Sequence, residues 1–198
     1  MSKYAEIIKK NLQQLYSQLP EDLAEKLPAS RIDNGFLFCA FGESCRITPE
    51  SIKLGDNAET GPTGIVVSLY ALQVDTISCQ LAPYKAFREM PDSMPYVGAF
   101  ASHTERVLVG HIDKIERKAD RIVQQFKGSR EVNNNAGDFS FIVYPLPKIA
   151  LNYIFYRADD DFPATVTCLF SHNAAAFLPT DALADTGEYT SLKILDIL

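Results

Sequence analysis

A chain of 198 residues, 46% apolar and 22% charged, with 10 glycines and 11 prolines, can bury one hydrophobic core without disulfide or metal, and it is not disordered, collagen-like or coiled-coil in composition. Its formal net charge of -6 leaves no positive surplus for a phosphate backbone, so nucleic acid is not an expected partner. The longest apolar run, Phe36 to Phe41, is far shorter than the roughly 20 residues that cross a bilayer, and the start MSKYAEIIKKN has no apolar export core; the expectation is one globular domain over residues 1–198, cytoplasmic, with no membrane span.

From the start, Tyr4, Ile8, Leu12, Leu15 and Leu19 recur at helical steps, the stripe of an amphipathic helix ending before Pro20. Pro20, Glu21 and Asp22 suit the opening of a second short helix carrying Leu23 and Leu27, which Pro28 and Ser30 end. GFLFCAF followed by Gly42, Glu43, Ser44 and CRIT predicts a hairpin, its first strand covered on both faces. With Gly42 and Glu43 as the loop, Cys45 stands opposite Ala40 and the thiols of Cys39 and Cys45 point to opposite faces. Cys39, Cys45, Cys79 and Cys168 form no C-x-x-C pair and read as small buried core residues.

Thr60 or Thr63 is expected to cap the next helix, with Ile65, Leu69 and Leu72 on its inner side. CQLAPYKAFREMPDSMP is a proline-rich loop with one short strand, and Tyr96 to Phe126 reads as two helices broken near Gly110. The second carries Ile112, Ile115, Ala119, Ile122, Val123 and Phe126 at the helical period, and Gly128 stands where a left-handed cap would. After the polar loop SREVNNNAGD, the segments FSFIVYPLP, IALNYIFYR and ATVTCLF are predicted strands of the main sheet. The tail from Pro179 reads as helix with a break at Gly187. Helix-rich first and strand-rich later, the order predicts an α+β fold: an antiparallel or mixed sheet of C-terminal strands plus an N-terminal hairpin, packed against several helices.

Chemistry is sparsely signalled. Asp159, Asp160 and Asp161 form an acidic turn that supplies oxygen ligands of the kind Mg²⁺ and Ca²⁺ take, or a solvated turn in which aspartate bonds its own backbone. No calcium-loop spacing follows, and His103, His111 and His172 read as surface residues, so no metal site is assigned. GPTG at Gly61 to Gly64 lacks the ending of a phosphate loop and is a helix start. No serine lies in a G-x-S-x-G context. Arg88 and Glu89, in YKAFREMP, lie in a loop that either shapes a pocket, with Tyr84, Phe87 and Tyr96 as walls and Arg88 as the anion contact, or forms a lid over the core.

The segments FREMPDSMPYVGAF and GDFSFIVYPLPKIALNYIFYRADDDFPATVTCLFSHNAAAFLPTDAL resemble the bacterial and archaeal family called domain of unknown function 3786 over about Ile65 to Leu198. The matching elements are Phe87, Arg88, Glu89, Pro91 and Tyr96, then Pro145 and Pro147, then Asp160 to Pro163, then Leu169 and Phe170. Where that family places tryptophan before the acidic turn and aspartate after the leucine–phenylalanine pair, this chain has Tyr156 nearby and Ser171. Some relatives are fused to an iron–sulfur domain of the corrinoid-protein type. The cysteine cluster such a domain requires is not present here, so the resemblance implies anaerobic metabolism with an iron–sulfur or corrinoid protein as partner.

The functional expectation is a ligand-, cofactor- or partner-binding accessory domain; the alternatives are a metal-dependent enzyme using Asp159–Asp161 and a purely structural interaction module. The ligand-binding set is Arg88, Glu89, Tyr96, Asp160 and Asp161, with Phe162 and Pro163 holding the turn rigid and Arg88 pairing one carboxylate, either in a shared pocket or as a structural ion pair that merely fastens the loop to the sheet.

Overall fold

The computed structural model describes residues 2–130 and 137–198; part of the polar loop expected between Ser129 and Asp138, residues 131–136, lies outside them. The fold is α+β, and no helix among the described residues is long and apolar enough to cross a membrane. Helix α1, Lys3–Ser17, is capped by Ser2, whose hydroxyl accepts from Ala5 N at 3.2 Å, and buries Ile8, Leu12 and Leu15 as its period requires. The short helix α2, Leu23–Lys26, follows.

The hairpin and the C-terminal strands occupy separate antiparallel sheets. The first runs in sequence order, β1 Ser30–Ile32, β2 Gly35–Ala40, β3 Glu43–Ile47, β4 Ile52–Leu54 and β5 Asn57–Ala58. The β2–β3 loop is Phe41–Gly42, one residue earlier than expected: Ala40 pairs with Glu43 and Cys45 with Phe38. Both loop residues have positive φ, 51° and 75°, as the tightest hairpin turn demands. Phe41 accepts that strain because its ring is fully buried, edge-on to Tyr189, and its N–H donates to Pro145 O at 2.7 Å. Cys39 and Cys45 still face opposite sides, and all four cysteines are free.

Helix α3, Pro62–Gln73, starts at Gly61 with Pro62 in its first turn; neither threonine caps it. Its deepest residues are Val66, Val67, Tyr70 and Ala71, while Ile65, Leu69 and Leu72 are only partly buried. A single inner face was the wrong expectation, because α3 packs against α1, β4 and the C-terminal helix α7, Thr180–Asp196.

The second sheet has the order β6 Lys85–Ala86, β10 Thr165–Phe170, β9 Ile149–Tyr156, β8 Phe139–Leu146, β7 Ser129–Arg130. Cross-strand pairing puts Phe141, Tyr153 and Cys168 in one row and Val143, Leu151 and Phe170 in another, all on one buried face. That face is covered by helices: α4 Val97–Phe100, a π-helical segment Ala101–Arg106, α5 Val107–Val109, α6 Ile112–Gln125 and α7 Thr180–Asp196. The break near Gly110 is present between α5 and α6.

Two glycines do something other than expected. Helix α7 runs unbroken through Gly187, where a Cβ would meet Phe100 Cε2 at 2.6 Å and Thr104 Oγ1 at 2.9 Å; the glycine lets the π-helical segment approach. At the end of α6 the left-handed residue is Lys127, φ 53°, and Gly128 follows it. Gly128 N donates to Val123 O at 2.8 Å and Lys127 N to Gln124 O at 3.3 Å, the paired closing bonds of a Schellman cap.

Candidate functional site

Strand β6 covers only Leu169 and Phe170 of β10, so the rest of that strand edge is left to side chains. Glu105 in the π-helical segment takes part of it: its Oε1 accepts from Cys168 N at 3.0 Å. Insertions of this kind into a helix re-aim side chains and recur at functional sites. Here the segment is held from behind. Ser191 Oγ of α7 donates to Thr104 O at 2.7 Å and lies 2.9 Å from the hydroxyl of the buried Tyr153, while Thr104 Oγ1 is buried and has no hydrogen-bond partner among the described residues.

In front of Glu105 opens a cleft of about 320 Å³ lined by Ala86, Phe87, Arg88, Val97, Phe100, Ala101, Glu105 and Thr167. Phe87 and Phe100, both buried, stack with centroids 4.4 Å apart and planes 9° apart and form its apolar floor. Among the described residues neither Arg88 nor Glu105 has an ion-pair partner. Burial pushes the Glu105 carboxyl above the usual carboxylate range, with the Cys168 N–H pulling the other way. The cleft therefore offers a cationic fork and an acid that accepts or shares a proton, over a floor of two buried aromatic residues.

Of the expected site residues, Arg88 lines this cleft. Glu89 Oε2 accepts from Ala86 N at 2.6 Å and closes the 3₁₀ turn Phe87–Glu89 that carries Arg88. Tyr96 precedes α4 and is 39% exposed. Asp160 and Asp161 lie on the exposed β9–β10 connection, and among the described residues no ion pair joins either to Arg88. The expected anchoring by Phe162 does not occur, since that ring is 70% exposed. Asp159 builds the turn instead: its Oδ1 accepts from Asp161 N at 2.9 Å and Phe162 N at 2.7 Å. Among the described residues no group of three His, Cys, Asp or Glu side chains is placed to hold a metal ion.

Glu105 escaped sequence reasoning. Its only trace is an acid beside the apolar positions Phe100, Leu108 and Ile112, and nothing local announces that β10 arrives there.

A second cleft, of about 470 Å³, lies at the start of α6 and is lined by His111, Ile112, Lys114, Arg117, Arg157, Ala158 and Ala164 among others. Arg157 is already engaged by Asp113 at 3.7 Å, Asp138 at 4.0 Å and Glu116.

On α7, Asp185 has its carboxyl pushed up to about 6, first by burial and then by Glu188 and Asp181. The folded state thus holds that proton at pH values where the unfolded chain has lost it, so this contribution to stability is complete below about pH 4 and is lost as pH rises through about 6. Asp185→Asn is expected to stabilise the protein by roughly 1 kcal/mol at pH 7.5, allowing for water on the half-exposed side chain, and to change little at pH 4. Urea denaturation of both proteins at the two pH values measures it; an equal gain at both would contradict the assignment.

The family model described as Domain of unknown function (DUF3786) matches residues 20–193, a longer span than the resemblance read from the sequence. No curated protein and no solved structure matches the chain.

Proposed function

We propose a binding function for this chain, which belongs to the family of the domain of unknown function DUF3786: a single-domain protein whose ligand occupies the cleft between Arg88 and Glu105. One observation carries the reading. A guanidinium and a half-buried carboxyl, neither ion-paired among the described residues, line one cavity with a stacked aromatic wall. Such a cavity suits a small molecule with an anionic group for Arg88, a flat apolar body against Phe87 and Phe100, and a hydrogen-bond donor for Glu105. Glu89 serves by holding the turn that presents Arg88.

In this reading the domain is a cytoplasmic accessory protein of anaerobic metabolism. Its partner is an iron–sulfur or corrinoid protein, as the family resemblance implies.

The probe for the cleft is 4-hydroxybenzoate, which has one carboxylate, one ring and one hydroxyl donor. Titration followed by backbone amide NMR is expected to shift the signals of Arg88, Ala101, Glu105 and Thr167. Arg88→Met is expected to weaken binding by at least about tenfold, the worth of a lost charge-assisted hydrogen bond, with an unchanged melting temperature because the residue is exposed. Shifts centred elsewhere, or equal affinity in the variant, would remove this cleft as the site.

A further inference from the structure

We infer that the acidic turn of one copy docks into the α6 cleft of a second copy, so that the protein forms a two-fold dimer by exchanging these turns. The turn presents an aromatic ring that the chain itself does not cover: Phe162 is 70% exposed, with Asp160 and Asp161 immediately before it. Water is an unfavourable resting place for a large apolar side chain, and the Asp159 cap holds this one on a defined turn rather than a loose strand.

The cleft has the complementary composition. Ile112 and Val109 contribute apolar lining; the lining carboxylate Asp113 is paired with Arg157, whereas Lys114 and Arg117 are exposed cations with no ion-pair partner among the described residues. Its volume of about 470 Å³ accommodates a phenyl ring together with the flanking carboxylates. The turn does not satisfy its own cleft: among the described residues no ion pair joins Asp159, Asp160 or Asp161 to Lys114 or Arg117.

A second copy is the occupant because socket and plug form one patch. Ala158 and Ala164, which bracket the turn, also line the cleft. An isologous interface needs both complementary halves on the same surface, close enough to the two-fold axis for each contact to be made twice and for the assembly to close. The chain as a whole carries a net charge of -6, which opposes indiscriminate self-association and leaves the unpaired cations Lys114 and Arg117 of this cleft as the place where an acidic turn is attracted.

Sedimentation velocity from low micromolar to millimolar protein tests the proposal. The wild type is expected to pass from monomer to dimer, with the dimer weakened by added salt. A turn variant, Asp160→Lys with Asp161→Lys, and a cleft variant, Lys114→Glu with Arg117→Glu, change only exposed side chains and are each expected to dimerise at least about tenfold more weakly. An equimolar mixture of the two is expected to recover the dimer, because one contact then pairs lysines with glutamates and the other is wild type. A wild-type protein that stays monomeric at millimolar concentration, as it would if the turn served a different partner, overturns the proposal. So does a dimer indifferent to both variants, or a mixture that remains monomeric.

Discussion

Truncating Phe170 to alanine is expected to cost about 3–5 kcal/mol of folding free energy, a large share of the stability of a domain this size. The ring is fully buried at the end of β10 and sits against both aromatic residues of the cleft wall, with centroids 6.1 Å from Phe87 and 5.7 Å from Phe100. Its removal leaves a void under the stacked pair, and close-packed surroundings relax only partly into such a void. Binding at the cleft should therefore fall along with stability. Phe170→Leu keeps most of the volume and is expected to lose less than about 1.5 kcal/mol, giving a folded protein in which the two effects can be separated. Urea denaturation measures both; a loss under about 1 kcal/mol for the alanine variant would mean that Phe170 does not support the wall.

Gly128→Ala is the second large effect, about 2–3 kcal/mol from a single methyl group. A Cβ there would lie 1.9 Å from Ile142 O, 2.9 Å from Ile142 C and 3.1 Å from Val143 Cα, all backbone atoms of β8, so no side-chain rotation relieves the clash. The end of α6 must move off the sheet. Lys127→Gly supplies the contrast: Lys127 holds the left-handed position at φ 53°, where glycine is the unstrained residue, and the variant is expected to gain up to about 1 kcal/mol. Equilibrium denaturation of the pair decides it. A Gly128→Ala protein as stable as wild type would falsify the close approach of α6 and β8.

Why the α6 cap reads one residue off in the sequence is instructive. Glycine at a helix end signals the left-handed position. In the fold the glycine is needed for contact with β8, more than ten residues onward in the chain, and lysine takes the strained conformation instead. Gly187 repeats the lesson, since a glycine within a helical stretch suggests a break, whereas here it admits Phe100 and Thr104 from another element.

Periodicity and local composition determined most of the elements. The α1 stripe and the apolar face of α6 follow from spacing, because an amphipathic helix repeats at its own period whatever it packs against, the break before α6 from Gly110, and the three long strands β8, β9 and β10 from runs of β-favouring residues set apart by prolines and the acidic turn. The α+β class followed from their order, and the resemblance to the family rested on short motifs that the wider match over residues 20–193 extends. Tertiary structure decided the rest. Which sheet the hairpin enters, the Phe41–Gly42 register, and how much of α3 is buried depend on neighbours far away in sequence. The candidate site belongs to this second class: Arg88 was legible as a cation in an aromatic loop, but its place in one cleft with Glu105 depends on β6 ending early and leaving a strand edge that the π-helical segment fills. Local sequence carries the period of an element; it does not carry the address of the surface that element will meet.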